Sequence, residues 1–167
     1  AFVGVRACDL RGIEVQDRVL RDGAFPDAGY RARRADVFVI TADCSESGPT
    51  CFCASMGAGP AAEAGFDLAV AERLDGSRPR FHVRVGSERG AALLAQVDHE
   101  PAADADRADA VASAASAAAA QVRAVPAASV AGLLIRCLGH PRELDAAPPR
   151  RASDLCSVAG PTCFCTN

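Results

Sequence analysis

The sequence contains no lysine, and all eighteen of its basic residues are arginine. Together with the high alanine content, this is more typical of a GC-rich genome than of a binding surface. The formal net charge of −3 is small for 167 residues, so it gives no electrostatic argument for nucleic acid or anionic lipid as a partner. No stretch approaches the roughly 20 apolar residues that a membrane-spanning helix needs, and we expect no membrane association.

Several other sequence signals are also missing. The opening residues, AFVGV, have neither the charged leader nor the cleavage site of a secretory signal, so we expect a cytoplasmic protein. No G-x-S-x-G, HExxH or P-loop motif occurs, which leaves no familiar catalytic signature. Because the chain begins inside an apolar run and ends two residues after a cysteine cluster, we expect a fragment of a longer protein.

Cysteine is the most informative residue type that the sequence does contain. The eight cysteines stand at positions 8, 44, 51, 53, 137, 156, 163 and 165. Their density is below that of a disulfide scaffold, and in a reducing cytosol clustered cysteines more often indicate metal or redox chemistry than structural bridges. Cys137, on a short apolar helix predicted over 130–138, is the exception, and we interpret it as a small hydrophobic residue.

The hexapeptide GPTCFC occurs twice, at 48–53 and at 160–165. In each copy a Gly-Pro turn precedes two cysteines that flank a phenylalanine. The turn would fix the approach of the loop, and the small residues around it would let backbone N–H groups point at sulfur. Phe52 would shield one side from water. The hexapeptide is therefore well suited to present two thiolates.

Hydrophobic periodicity predicts an α/β fold with a mixed sheet. The predicted elements are strands at 2–7, 37–42, 66–72 and 81–85, a helix over 9–21 capped by Asp9, and a helix from Ser87 to Gln96. We expect the turn Asp75-Gly76 to join the last two strands. The alanine-rich stretch over 104–123 predicts a surface helix or helical spacer. Residues 1–100 would thus form the sheet domain, and 101–141 a helical arm.

Four cysteines fall near the ends of the first two predicted strands. Cys8 follows strand 2–7, and Cys44, Cys51 and Cys53 lie in the loop 43–60 that follows strand 37–42. If the two strands are parallel neighbours, both loops emerge at the same sheet edge, which is a common location for ligands. Four thiolates at one point match the ligand number of a [4Fe–4S] cluster or of a tetrahedral zinc site.

The alternatives to an iron–sulfur site remain open at this stage. Structural zinc usually shows C-x2–4-C pairs, which the C-x-C pair at 51–53 fits less well. No histidine lies near Cys8, Cys44, Cys51 or Cys53 in the sequence, which weakens a mixed Cys/His zinc site there. Inert thiols or a disulfide are the third interpretation.

Two further motifs are weaker indications of a binding site. Residues 57–62 fit the dinucleotide pattern G-x-G-x-x-A, but no clear strand precedes them and only about five residues separate them from the next one, so a flexible turn is favoured. The basic residues Arg31, Arg33 and Arg34 could hold a phosphate or an acidic partner, although a solvated charge run is the more ordinary interpretation.

Several longer sequence segments resemble those of a known family. The runs VGVRACDLRGIEVQDRVL, YRARRADVFVITADC, GPTCFCASMGAGP, GFDLAV and VRVGSERGAALL, with the closing PTCFCTN, resemble the β-subunit family of cytosolic sulfhydrogenases. That family also includes the iron–sulfur A subunit of anaerobic sulfite reductase. The resemblance spans about residues 2–95 and resumes at the final heptapeptide.

This resemblance implies an α/β region followed by a ferredoxin-like module with two [4Fe–4S] clusters. It also implies a subunit that passes electrons between a flavin subunit, which uses NAD(P), and a catalytic hydrogenase or reductase subunit. By the same resemblance, Cys8, Cys44, Cys51 and Cys53 match the conserved thiols of the N-terminal region.

The second cysteine group departs from the family pattern. A C-x2-C-x2-C-x3-C-P run would be expected before TCFC, but only Cys156 occupies a matching position, and Arg150, Ser153 and Gly160 replace the other ligands. Either this copy has lost that cluster or a local frameshift alters 142–160. Residues 142–167 would then be a degenerate or truncated ferredoxin-like start, with Cys156, Cys163 and Cys165 as its remaining candidate ligands.

The leading hypothesis from the sequence is an iron–sulfur electron-transfer subunit, or a fragment of one, in a cytosolic multisubunit oxidoreductase. The alternative is a non-redox assembly module that is stapled by zinc or by thiols. A weaker third hypothesis is a flavin- or nucleotide-binding enzyme that uses the turn at Gly57.

Overall fold

The computed structural model describes residues 1–74 and 79–125. Four strands form one sheet: β1 (Phe2–Val5), β2 (Val39–Ala42), β3 (Leu68–Arg73) and β4 (Arg80–Val85). Four α-helices accompany them: α1 (Ala7–Gln16), α2 (Ala28–Ala35), α3 (Glu88–Leu94) and α4 (Asp104–Ala119). A π-helical turn, Asp17–Arg21, continues α1, and a short 3₁₀ turn spans Cys53–Met56.

The strand order in the sheet is β1-β2-β3-β4. The pairs β1–β2 and β2–β3 are parallel, whereas β3 and β4 are antiparallel. This mixed sheet with helices confirms the predicted α/β class. Strand β2 lies between β1 and β3, and its Val39 and Thr41, which share one face of the sheet, are 2% and 0% exposed, so that face is covered.

The hydrophobic core is small and lies beside the start of α1. Ala7, Leu10, Val39 and Ala62 form it, and Val5, Val37 and Phe66 pack against it. The alanines allow α1 to approach the sheet closely, and Leu10 is the largest side chain that α1 buries there. Burying a leucine contributes about 1.5–3 kcal/mol, so this contact fixes the first turn of α1 against β2.

Helix α1 begins two residues before the predicted start. Arg6 is the N-cap, in extended conformation, and its backbone N–H donates to the Asp9 carboxylate at 3.2 Å. Asp9 therefore caps the helix from inside its first turn rather than as the N-cap. A carboxylate there also interacts favourably with the positive end of the helix dipole.

Helix α2 was not expected, because residues 22–30 have the composition of a turn. Asp27 caps the helix by accepting from the Tyr30 backbone N–H at 2.7 Å. The buried carboxylate of Asp17 then accepts from the Tyr30 hydroxyl at 2.7 Å and from Arg34 Nε at 3.1 Å. Arg34, from the basic run at 31–34, is therefore neither solvated nor available for phosphate: it joins α2 to the end of α1.

The other predicted elements have mixed outcomes. The Ser87 cap is present, since its hydroxyl accepts from the Gly90 N–H at 3.1 Å at the start of α3. Helix α4 occupies most of the predicted range 104–123.

Some predictions fall outside the described residues: the Asp75-Gly76 turn, the helix over 130–138 and the cysteines beyond 125. The predicted domain boundaries at 100 and 141 stay predictions. None of the helices in 1–74 and 79–125 is long and apolar enough to cross a membrane.

A buried carboxylate, Asp67, joins the centre of the sheet to α3. Its Oδ2 accepts from the Val39 backbone N–H at 2.8 Å, and its Oδ1 accepts from the Ser87 hydroxyl. Burial by itself would raise the pKa of Asp67, but these two hydrogen bonds, with the charges of Arg89 and Arg34, outweigh it and hold the pKa below its ordinary value. The ionised form of Asp67 is therefore the one that stabilises the fold.

We predict that Asp67→Asn lowers the free energy of unfolding at pH 7 by about 1.5–3 kcal/mol, because it weakens hydrogen bonds to a charged acceptor. A group whose folded pKa is depressed stabilises the protein above its unfolded pKa of about 4, and this stability is lost as pH falls through the folded pKa. Urea unfolding followed by circular dichroism at pH 7 and at pH 3 should show the difference between wild type and variant shrinking in acid. Asp98→Asn, at an exposed position, is the control. A difference that is the same at both pH values would contradict the assignment.

Candidate metal centre

Cys8 and Cys44 lie at the same edge of the sheet. Cys8 is the second residue of α1 and the third after β1, and Cys44 is the second residue after β2. Because β1 and β2 are parallel neighbours, the chain leaves both strands at their common carboxyl edge. Cys8 is exposed and Cys44 is half-buried, and both are free thiols.

The loop that carries Cys51 and Cys53 folds back toward this edge. The Gly-Pro turn of the hexapeptide is closed by the Cys51 N–H, which donates to the Gly48 carbonyl at 3.1 Å. Cys53 then opens the 3₁₀ turn, and its carbonyl accepts from the Ala58 N–H at 2.9 Å. At the end of the loop, the Pro60 carbonyl accepts from the Cys44 N–H, at its start, at 3.2 Å. The two ends of the loop are thereby held together. Phe52, expected to be a shield, is 45% exposed.

Gly59 lies between the start of α1 and the cysteine loop. Its φ is +137°, a conformation that L side chains rarely adopt. A Cβ at this position would stand 2.9 Å from Ala7 Cβ, 3.6 Å from Cys53 Sγ and 3.8 Å from the Cys8 backbone nitrogen. Glycine is therefore required here by both conformation and space. Its backbone marks the point where the Cys8 and Cys53 segments approach each other.

The electrostatics of Cys8 also indicate that the segments converge. Burial raises the pKa of the Cys8 thiol, and the negative charge of Asp9 and the thiols of Cys53 and Cys44 raise it further, against a lowering contribution from the Asp9 backbone N–H. Two cysteines from the distant loop therefore lie within electrostatic range of Cys8. Cys51 is not among the groups that shift this pKa.

Two side chains donate hydrogen bonds to the thiols, and sequence reasoning missed both. Arg6 Nη1 lies 3.4 Å from Cys44 Sγ. Gln121 Nε2, just beyond α4, lies 3.2 Å from Cys53 Sγ. Arg6 could have been suspected from its position beside Cys8. Gln121 carried no sequence signal beyond being a polar amide at the end of an alanine-rich helix.

Asp43 anchors the far end of the cysteine loop. Its Oδ1 accepts from the Ala62 N–H at 3.0 Å, and its Oδ2 accepts from Arg84 Nη2 at 2.8 Å. Arg84 donates to the Ala62 carbonyl as well, at 2.8 Å, and stacks over Phe66. The segment 57–62 thus ends in the core at Ala62, with no strand directly before it and no helix directly after it. A dinucleotide-binding turn is therefore the wrong interpretation of its glycines.

The thiols are not arranged as a finished metal site. Within the residues that the structure describes, no three His, Cys, Asp or Glu side chains are grouped so as to hold a metal ion. The donor type nevertheless suits a soft metal. The three segments that bear Cys8, Cys44 and Cys53 meet around Gly59, and N–H donors already reach two of the sulfurs. The backbone therefore fits a thiolate-bound centre, while the side chains would have to turn toward one another.

Comparison with known proteins gives one informative similarity, to a hydrogenase subunit. The relative is Sulfhydrogenase 2 subunit beta from Pyrococcus furiosus, which is 38% identical over 87 residues. The match covers 52% of this chain and 24% of the relative, so the chain spans about a quarter of the protein that it matches. No family model matches the chain, and no solved structure matches it. The similarity thus supports a likeness to hydrogenase beta subunits and nothing finer.

We predict that Gly59→Ala destabilises the fold by about 1–3 kcal/mol, because it strains the backbone and pushes on Ala7. The same change should separate the Cys8 and Cys53 segments. Urea unfolding measures the first effect, and the yield of a Cys8–Cys53 crosslink with a short bis-maleimide measures the second.

Gly57→Ala is the matched control for this experiment. Gly57 also has a positive φ, +61°, but nothing lies within 4 Å of an added Cβ. It should cost about 1–2 kcal/mol, the penalty of a left-handed residue, and leave the crosslink yield unchanged. If both variants lowered the yield equally, the role assigned to Gly59 would be wrong.

Proposed function

We propose that this chain is the iron–sulfur-binding part of an electron-transfer subunit in a multisubunit oxidoreductase of the hydrogenase/sulfur or sulfite reductase type. The observation that carries the proposal is the convergence of Cys8, Cys44 and Cys53, from three separate segments, at one edge of the sheet. The similarity to a hydrogenase beta subunit supports the same conclusion. Disulfide staples would not require N–H donors aimed at single sulfurs, and such donors are typical of thiolate ligation.

Four cysteines would hold the proposed [4Fe–4S] cluster: Cys8, Cys44, Cys51 and Cys53. A bound cluster supplies one-electron transfer at a potential that hydrogen bonds to sulfur and solvent exposure adjust. The protein would contribute hydrogen-bond donors to the sulfurs and an apolar core beside the cluster. The Asp9 backbone N–H donates to Cys8, Arg6 donates to Cys44, and Gln121 donates to Cys53. Ala7, the neighbour of Cys8, is buried in the same core as Leu10.

The partners follow from the type of complex. We propose a flavin- and NAD(P)-binding subunit on one side and a hydrogenase or reductase catalytic subunit on the other, in the cytoplasm. Cys156, Cys163 and Cys165 remain candidate ligands of a second centre, outside the described residues. No step of substrate chemistry is assigned to this chain, because its proposed work is relay alone.

The alternative function is a non-redox assembly module. One observation favours it: the thiols are not gathered into a preformed group within the described part of the chain, while hydrogen bonds already hold the loop 43–60 in place. Zinc bound by four cysteines would then act only as a staple. The two functions differ in the metal and in acid-labile sulfide, so a single analysis separates them.

We predict that the chain, purified without oxygen, contains about four iron and four acid-labile sulfide atoms, as a [4Fe–4S] cluster requires. Cys53→Ala and Cys8→Ala should each lose most of both, because three ligands hold such a cluster poorly. Iron analysis, sulfide analysis and electron paramagnetic resonance of the reduced protein are the measurements.

Two control variants locate the cluster. Replacing Cys156, Cys163 and Cys165 together by alanine should leave the N-terminal iron in place. Among the four proposed ligands, Cys51 is the one that does not act on the pKa of Cys8, and Cys51→Ala tests whether it binds the cluster. Stoichiometric zinc without sulfide in the wild-type chain would favour the assembly module. Iron that disappears only with the C-terminal cysteines would refute the assignment of ligands at Cys8, Cys44 and Cys53.

A further inference from the structure

The amide of Gln121 contacts three separate points of the cysteine loop. Its Oε1 accepts from the Ala54 backbone N–H at 3.0 Å. Its Nε2 lies 3.2 Å from Cys53 Sγ and 3.4 Å from Ser47 Oγ. Gln121 is about 70 residues away from these partners along the chain, so only the fold brings them together. One side chain thus supports the 3₁₀ turn and reaches the sulfur of a candidate ligand.

The position of Gln121 does not depend on its own hydrogen bonds alone. The Ser47 hydroxyl donates to the Ala117 carbonyl in the last turn of α4, and the Val125 N–H donates to Ser55 Oγ at 2.9 Å. Ala114 and Ala117 are buried on the same helix. The end of α4 is therefore attached to the loop on both sides of Gln121, and this attachment fixes the amide relative to Cys53.

We propose that Gln121 is a positioning residue for the metal centre: its N–H group holds the Cys53 thiolate in place and raises the reduction potential of the cluster bound there. This inference rests on the proposed function. An N–H donor stabilises negative charge on sulfur, and the reduced cluster carries one negative charge more than the oxidised one. The donor therefore favours the reduced state, and its loss should lower the potential.

Two variants separate donation to sulfur from support of the loop. Gln121→Glu retains an oxygen that can accept from Ala54, but it replaces the N–H donor beside Cys53 with a negative charge. Gln121→Met keeps the length of the side chain and removes both hydrogen bonds. Gln96→Met is the matched control, since Gln96 is exposed and its Nε2 donates only to the nearby Ala92 carbonyl, at 3.1 Å.

The first measurement is the midpoint potential of the anaerobically reconstituted chain, followed by electron paramagnetic resonance. Both Gln121 variants should shift to lower potential, and Gln121→Glu should shift further because its charge opposes reduction. The Gln96→Met potential should equal that of the wild type. If Gln121→Glu behaves like the wild type while Gln121→Met does not, Gln121 only supports the loop and the proposal is overturned.

The second measurement uses Co²⁺ as a probe of the metal-free chain, through its thiolate charge-transfer absorption. Loss of an outer hydrogen bond typically weakens metal affinity about 10- to 100-fold, and we expect that loss in both Gln121 variants. A wild-type chain that takes up neither a cluster nor Co²⁺ would refute the proposed function itself. Wild-type binding with unchanged affinity and potential in the variants would refute only the role of Gln121.

Discussion

The parallel pairing of β1 with β2 is the constraint on which the rest of this structure depends. It aligns Phe2 with Val39 and so brings the end of each strand to one edge of the sheet. Helix α1 leaves that edge with Cys8, and the long loop leaves it with Cys44. The core of Ala7, Leu10, Val39 and Ala62 fixes the helix against the neighbouring strand. The packing of the core and the position of the candidate site therefore depend on the same strand pairing, because the contacts that bury Leu10 also determine where Cys8 lies.

Two buried carboxylates hold the cysteine loop at its ends. Asp43 follows β2 and ties Ala62 to Arg84 on β4, while Asp67 precedes β3 and ties β2 to α3. Each accepts two hydrogen bonds, and hydrogen bonds to a charged acceptor contribute more to stability than neutral ones, which makes each carboxylate costly to remove. The segment between them, 44–66, is long for a loop in a compact unit. It is held at its ends by these acids and in its middle by the end of α4.

Local sequence signals predicted the elements that are stabilised locally. The apolar strands and the Ser87 cap were recognisable, and the expected meeting of the Cys8 and Cys44 segments needed only the parallel pairing. Helix α2 was missed because its main support, the Asp17 carboxylate that contacts Tyr30 and Arg34, comes from another helix. Gln121 was missed for the same reason, since its partners lie 67 to 74 residues away. Contacts between distant segments leave no periodic pattern in a single sequence.

The three converging thiols have different polar neighbours, and this bears on how the proposed centre would assemble. Arg6 donates a hydrogen bond to the sulfur of Cys44, and Gln121 donates one to the sulfur of Cys53. At Cys8, burial and the charge of Asp9 act against ionisation, and the thiol form is favoured while no cation is present. A bound metal cation reverses that balance, because its charge is the largest in such a site. In the proposed centre, ionisation of Cys8 would therefore depend on the bound metal, whereas the sulfurs of Cys44 and Cys53 already accept hydrogen bonds from protein side chains.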